Sequence, residues 1–197
     1  MECRVADWRR ISVAALVFLG FLAPLVGHAE ERLPAKERLT ILLTVLSYDT
    51  AIDRFQPTGL RIGVVGRADS PQSAQDAKEM LDNLRGVSSK TVKSLAIQGF
   101  PVNVSAASDL TAAIESQQLN VLYLSAGLGG MREALVAEAS RRGLLLLAGE
   151  SDAVRGGAAI GAVAEDAKPK IVVNLKAANA QGARLDARIL RLAKVIQ

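Results

Sequence analysis

Leu60-Arg61-Ile62-Gly63-Val64-Val65-Gly66-Arg67-Ala68-Asp69-Ser70-Pro71-Gln72-Ser73-Ala74-Gln75-Asp76-Ala77 is the stretch whose pattern sets the architecture. Leu60 to Val65 is a short apolar run rich in β-branched residues, stopped by Gly66, and reads as a strand. Ser70-Pro71 then opens a helix: serine suits the cap and proline the first turn, where its missing N–H costs nothing. Ala77, Met80, Leu81 and Leu84 recur at helical spacing and carry that helix to about Leu84. A buried strand followed at once by an amphipathic helix is the opening of a βαβ unit.

The same alternation extends in both directions. Upstream, Pro34 suits the first turn of a helix running to about Tyr48, with Leu39, Leu42, Leu43 and Leu46 on one side. Downstream, Val92 to Ile97 reads as a second strand and Val102 to Val104 as a shorter third. Ser108 or Asp109 caps a helix to about Gln117. Asn120 to Ser125 is a strand, Met131 to Arg142 a helix and Leu144 to Ala148 another apolar strand. Ile160 to Val163 and Lys170 to Leu175 form a hairpin around Asp166-Ala167-Lys168-Pro169. The tail from Ala177 to Ile196 reads as mainly helical, broken near Gly182, with Leu185, Ile189, Leu190, Leu192 and Ala193 as packing residues. Strands separated by helices of this length imply a mostly parallel sheet covered on both faces. The expected fold class is therefore α/β: a three-layer α/β/α domain with a C-terminal antiparallel hairpin. Without repeats, low-complexity stretches or a long linker, residues 30–197 read as a single domain.

The chain of 197 residues is half apolar and 22% charged, with 16 Gly, 6 Pro and a formal charge of +4, which excludes a disordered or collagen-like chain. Its first 29 residues have a different character. Arg4, Arg9 and Arg10 precede an uncharged run from Ile11 to Val26 that ends in Gly27-His28-Ala29, the pattern of a secretory signal peptide cleaved after Ala29. The only Cys (Cys3), His (His28) and Trp (Trp8) lie within it. The expected body therefore has no Ser-His-Asp or Cys-His nucleophile system, no His- or Cys-based metal site and no disulfide. Three of the 24 Lys and Arg and two of the 20 Asp and Glu belong to the leader, leaving a body of formal charge +3. Its basic residues are scattered and its aromatics are Tyr48, Phe55, Phe100 and Tyr123, so the basic stripe and stacking platform of a nucleic-acid binder are missing.

Four places offer chemistry. Ser125-Ala126-Gly127-Leu128-Gly129-Gly130, between a strand and a helix, can cradle an anion at the positive helix end, although Gly127, Gly129 and Gly130 serve backbone geometry equally well. Gly66 and Arg67 sit at the carboxyl end of a strand, where open α/β sheets tend to bind ligands; Arg67 can equally pair with Asp69. Glu150-Ser151-Asp152 with Arg155-Gly156-Gly157 reads as a polar loop with two carboxylates, suited to acid–base work or a hard cation, or simply a turn. Asn174, between a strand and a helix, reads as a helix cap. None of these specifies a cofactor, a metal or a catalytic centre.

The C-terminal text is more specific. Ile171-Val172-Val173-Asn174-Leu175-Lys176-Ala177-Ala178, then Gly182, Leu185 and Ile189-Leu190-Arg191-Leu192-Ala193-Lys194-Val195, resembles the closing signature of the YfiR family of periplasmic regulators. The Leu60–Gly66 strand, Val121 to Ser125, Leu144 to Leu147 and the Gly156-Gly157 turn agree in order, so the resemblance spans roughly Lys36 to Val195. It implies an α/β/α domain that dimerises in the periplasm and holds an inner-membrane diguanylate cyclase inactive by binding its periplasmic part. Release then raises cyclic di-GMP and promotes biofilm formation, with no catalysis by the regulator itself. The cysteine pairs of the best-known members have no counterpart after Ala29. Where members often carry an aromatic-Pro element, this chain reads Ser47-Tyr48-Asp49-Thr50. The expectation is thus a non-enzymatic exported regulator of a membrane signalling protein; the alternative is a periplasmic small-ligand-binding module with its site near Gly66 and Gly127 to Gly130. A hydrolase using carboxylates alone is the third class.

Overall fold

A computed structural model describes residues 32–196, so the leader reading and its cleavage point lie outside the described residues. Helix α1 (Ala35–Ser47) leads by a 3-10 turn at Ile52–Phe55 into strand β1 (Leu60–Gly66), followed by α2 (Pro71–Gly86), β2 (Thr91–Val92) and β3 (Leu95–Asn103). Then come α3 (Ala107–Gln117), β4 (Val121–Leu124), α4 (Met131–Arg141), β5 (Leu145–Ala148) and the short α5 (Ser151–Arg155). The chain continues with β6 (Ile160–Glu165), β7 (Lys168–Asn174), α6 (Leu175–Ala180), α7 (Ala187–Leu190) and β8 (Lys194–Ile196). The strands make one eight-stranded sheet in the order β2-β3-β1-β4-β5-β6-β7-β8. Pairs from β3 to β6 are parallel, whereas β6–β7 is the expected antiparallel hairpin.

Alternation along the central strands divides the core between two faces. Val121, Tyr123, Leu145 and Leu147 point to the side covered by α1 and α2, where Leu39, Leu42, Leu46, Met80 and Leu84 meet them. Leu122, Leu124, Leu146 and Ala148 point to the side of α3 and α4, against Leu110, Ile114, Leu135 and Ala139. Continuous apolar runs in β4 and β5 follow from this double coverage. Gly66 has a packing role here: a Cβ on it would lie 2.8 Å from that of Ala77, so its absence lets α2 rest on β1. Ser70 caps α2 as expected, accepting from the Ser73 N–H.

Several expectations need correction. Val92 to Ile97 is not one strand, because Lys93 and Ser94 adopt left-handed backbone and turn β2 back against β3. Nor is Val102 to Val104 separate, since β3 runs through Gly99 and Pro101. That is permitted because β2 pairs only with Leu95 and Ala96, so Pro101 lies on an open sheet edge where no ladder bond is lost. Helix α3 begins at Ala107, and Asp109 reaches back to accept from the Ser105 and Ala106 N–H groups at 2.7 and 2.8 Å. These bonds hold its carboxyl below the usual range. The polar loop expected after Glu150 contains α5.

The tail is the largest departure. Its last residues form β8, which pairs in parallel with Val172 to Asn174 and covers the otherwise open side of β7. Asp186 accepts from the Arg188 N–H and caps α7, only one turn long. Ile189 is buried, but Leu192 is 75% exposed and is not a core residue.

Candidate functional site

The route of the chain opens a crevice. From β1 it passes through α2 on one face to β3, then through α3 on the other face to β4, the opposite neighbour of β1. Such a reversal separates the loops at the carboxyl ends of two adjacent strands, and ligands of open α/β sheets settle there. The loops here are Arg67–Ser70 after β1 and Ser125–Gly130 after β4.

Gly66, Arg67, Gly127, Gly129 and Gly130 are thereby brought together. The Arg67 guanidinium forks onto Asp69, with Nε–Oδ1 at 2.9 Å and Nη2–Oδ2 at 2.5 Å. Its Nη1 donates to the Leu128 carbonyl at 3.3 Å, tying one loop to the other. The mutual hydrogen bonds lower the Asp69 pKa and raise that of Arg67. Gly127 (φ +69°) and Gly129 (φ +57°) occupy left-handed backbone that a side chain would strain. Gly130 has ordinary helical φ and open space around it. At the start of α4 the N–H groups of Met131 and Arg132 donate to the Leu128 and Gly129 carbonyls, so the loop itself satisfies part of the helix end on which an anion would draw.

The other two candidates lie elsewhere. Arg155, in the last turn of α5, pairs at 2.7 Å with Asp152 on an exposed surface. Asn174 caps α6 by accepting from the Ala177 N–H at 3.0 Å, and it also donates to the Val154 carbonyl.

Beneath the glycine loop is a polar cluster that the sequence reading did not single out. Arg38 of α1, Asp76 of α2 and Tyr123 of β4 are 2%, 3% and 1% exposed. Arg38 Nη2 donates to Asp76 Oδ1 at 2.5 Å; the Tyr123 hydroxyl donates to Oδ2 at 3.1 Å. The Ala126 N–H also donates to Oδ2, at 2.9 Å, so Asp76 anchors the beginning of the glycine loop. Burial drives the Tyr123 pKa well up, and neighbouring Asp76 adds to the effect. Burial alone would lower the pKa of Arg38, but the Tyr123 oxygen and Asp76 outweigh it and the pKa is raised. Gly149 makes room for the cluster: a Cβ there would stand 2.6 Å from Arg38 Nη1 and 2.9 Å from the Tyr123 hydroxyl. Arg38 Nε and Nη1 and the Ser125 hydroxyl are buried without a hydrogen-bond partner.

A signal for this cluster was present. Arg38 falls on the stripe Ala35, Leu39, Leu42, Leu46, and Asp76 on the stripe Ser73, Ala77, Met80, Leu84. A single charge of opposite sign in each of two buried helical stripes marks an internal pair, because such residues are rarely buried alone.

A second buried carboxylate, Asp49, closes the other end of α1. It accepts from the Ala51 and Arg184 N–H groups at 2.9 and 2.8 Å and from Arg54 at 2.7 Å. With Thr50 N–H on the Arg184 carbonyl and Asp186 N–H on that of Tyr48, it clamps the C-terminal segment to the first helix. Among the described residues no group of three or more His, Cys, Asp or Glu is placed to hold a metal ion. Among them, too, no helix is long and apolar enough to cross a membrane.

The fold has counterparts among solved structures. The ABC domain of a Streptococcus pneumoniae protein, solved in complex with L-Trp, superposes with a TM-score of 0.60 at 13% identity, over 83% of this chain and 60% of that one. A conserved domain protein from Vibrio cholerae gives 0.60 at 12% identity, again over 83% and 60%. A ligand-free, open substrate-binding protein with adhesive properties from Clostridium difficile gives 0.52 at 17%, over 74% and 57%. At such identities the likeness concerns the fold alone, and this chain spans about 60% of the length of the first two. No curated protein matches the sequence. The YfiR/HmsC-like family model, in contrast, matches residues 38–194, nearly the whole described body from Arg38 to Lys194, and the chain belongs to that family.

Proposed function

We propose that this protein is an exported, non-enzymatic regulator that binds the periplasmic part of an inner-membrane signalling protein, a diguanylate cyclase, and holds it in an inactive state. The observation that carries the reading is the family match over residues 38–194. The export leader read from residues 1–29 supports the periplasmic address. A regulator of this kind works by differential affinity: it shifts its target only as far as it binds the inactive form more tightly than the active one. The described body suits such a role, since its buried carboxylates Asp49 and Asp76 are occupied by N–H and O–H donors rather than set opposite a nucleophile. The protein acts as a homodimer in this reading.

The test is capture of the epitope-tagged full chain from the native host after cross-linking in the intact cell. The expected result is a membrane-anchored cyclase joined through its periplasmic segment. Recovery without any membrane signalling protein, or turnover of a substrate by the purified protein, overturns the reading. A second reading, a small-ligand sensory module, is favoured by one observation: the loops after β1 and β4 converge at the chain reversal, tied by Arg67 Nη1 on the Leu128 carbonyl, where open α/β sheets tend to bind ligands.

A further inference from the structure

Two cavities follow one another between helix α2 and strand β3. The first, of about 400 Å³, is bounded by Leu84, Arg85, Ser88 and residues 97–100 of β3. The second, of about 280 Å³, continues past the shared Arg85 along Lys78, Leu81, Asp82, Pro101 and Asn103, among others. We propose that this groove is a strand-addition site, in which an extended, acidic segment of another protein pairs with the open edge of β3 and lies against α2.

Strand β2 pairs only with Leu95 and Ala96, and among the described residues no other strand covers that side of β3. The Val104 N–H donates to the Gly66 carbonyl while Asn103 stands in register with Gly66. Even-numbered residues of β3 therefore bond to β1, and odd-numbered ones face away from it. The open edge thus presents the N–H and C=O of Gly99 and Asn103 and the C=O of Pro101. An added strand finds an acceptor here for each N–H it turns to this side. What Pro101 leaves unmet is one carbonyl of the newcomer, the less costly group to leave without a partner. A second copy of this chain would bring its own Pro101 and lose a bond at each, which favours a foreign segment over self-pairing.

Helix α2 supplies the wall. Gly99 lets it sit close, since a Cβ there would stand 2.9 Å from that of Leu84. Toward the groove it carries Lys78 and Arg85, with side chains 74% and 71% exposed, on either side of half-buried Leu81. Asp82 takes Arg85 at 2.7 Å but Lys78 only at 3.9 Å. On the other face of the same edge, Arg61 lies 4.5 Å from the centre of the Phe100 ring and donates to Gln98 Oε1 at 2.7 Å, with no carboxylate partner among the described residues. Three cations against one carboxylate favour an occupant with acidic side chains. Strand addition takes affinity from main-chain bonds and specificity from alternate side chains, which the pleat turns toward the helix. This inference goes beyond the regulator reading and is independent of it: a target captured in the cell can dock elsewhere, and a peptide can fill this groove whatever the target.

The test is nuclear magnetic resonance of the full chain labelled with ¹⁵N. It is titrated at constant ionic strength with the blocked peptide acetyl-Thr-Val-Glu-Val-Glu-Val-Thr-amide, with its counterpart carrying Lys for Glu, and with its fully N-methylated form. The Gly99 and Asn103 amide signals are expected to shift saturably with the Glu peptide and to gain protection from solvent exchange. The Lys peptide is expected to bind about threefold more weakly or worse, and the N-methylated form not at all. Asn103→Pro removes one edge donor without touching the ladder to β1, and is expected to weaken Glu-peptide binding by about fivefold, read on Gly99. Should that variant not fold, Arg85→Glu serves instead, with an expected weakening of roughly threefold. No saturable shift at Gly99 and Asn103, equal binding of either comparator, or undiminished affinity in the variant that folds overturns the proposal. So do shifts of both amides that grow with protein concentration before peptide is added, because a second copy would then be the occupant.

Discussion

Two arginine–aspartate pairs stand close together in this molecule and behave as opposites. Arg67–Asp69 lies two residues apart in sequence on the rim of the β1 loop, with Asp69 67% exposed. Arg38–Asp76 joins two helices across a sequence gap and is nearly sealed. Each has a contact as short as 2.5 Å, so distance does not distinguish them. Surroundings do. The rim pair stays hydrated, and losing one member returns the other to water. In the sealed pair, losing one member leaves a charge that water cannot reach. The inner pair therefore holds the architecture beneath the glycine loop, while the outer pair only links two loops through the Leu128 carbonyl.

The largest effect should come from Asp76→Ala. It leaves Arg38 buried and uncompensated and removes the acceptor of Tyr123 and Ala126, with an expected loss of about 3–5 kcal/mol in urea unfolding. Replacing both members, Arg38→Met with Asp76→Leu, should recover most of that loss, because an apolar pair of similar volume avoids the desolvation altogether. A double variant as weak as the single one would show that the hydrogen bonds to Tyr123 and Ala126, not the stranded charge, set the cost.

Gly149→Ala comes next. Its Cβ would press on Arg38 Nη1 and the Tyr123 hydroxyl, and overpacking of this kind costs about 1–3 kcal/mol. An unchanged unfolding midpoint would mean that the cluster has free room. Arg67→Ala should leave the urea midpoint where it is, as expected for a hydrated pair. A marked drop would erase the contrast between the two pairs.

The smallest effect concerns acid. Glu138 is held down to about 2 by Arg141, with Arg142 and Thr111 adding to it, and Asp186 to about 2 by Arg188. A carboxylate whose folded pKa is depressed contributes above its unfolded value and loses that contribution as pH falls toward the folded one. Stability should therefore decline between roughly pH 4.5 and pH 2, and Glu138→Gln should make the decline shallower in a pH series of thermal melts.

How much of this could be read from the sequence depended on whether the deciding interaction was local. Strand β1, helix α2 and the caps at Ser70 and Asn174 are settled within a few residues by polarity, ring geometry and side-chain reach, and the structure has them as expected. The β6–β7 hairpin likewise turns at Asp166 and Ala167, both left-handed, inside the expected stretch. Strand β8 was not legible, because Leu190 to Val195 also has helical spacing. Only the open side of β7, set by the whole sheet, favours a strand there. The through-running β3 was hidden for a related reason: Pro101 breaks a central strand but not an edge, and strand order is a tertiary property. At the site, the glycines and Arg67 carried local signatures. The Arg38–Asp76–Tyr123 cluster is assembled from three separate elements and showed only as a lone charge in each of two apolar stripes.

The claim that the protein restrains a membrane-bound cyclase is tested most directly by measuring cellular cyclic di-GMP in the native host with the gene deleted and then restored. The account predicts a rise on deletion that the restored full-length chain reverses. An unchanged level in the deletion strain would contradict it.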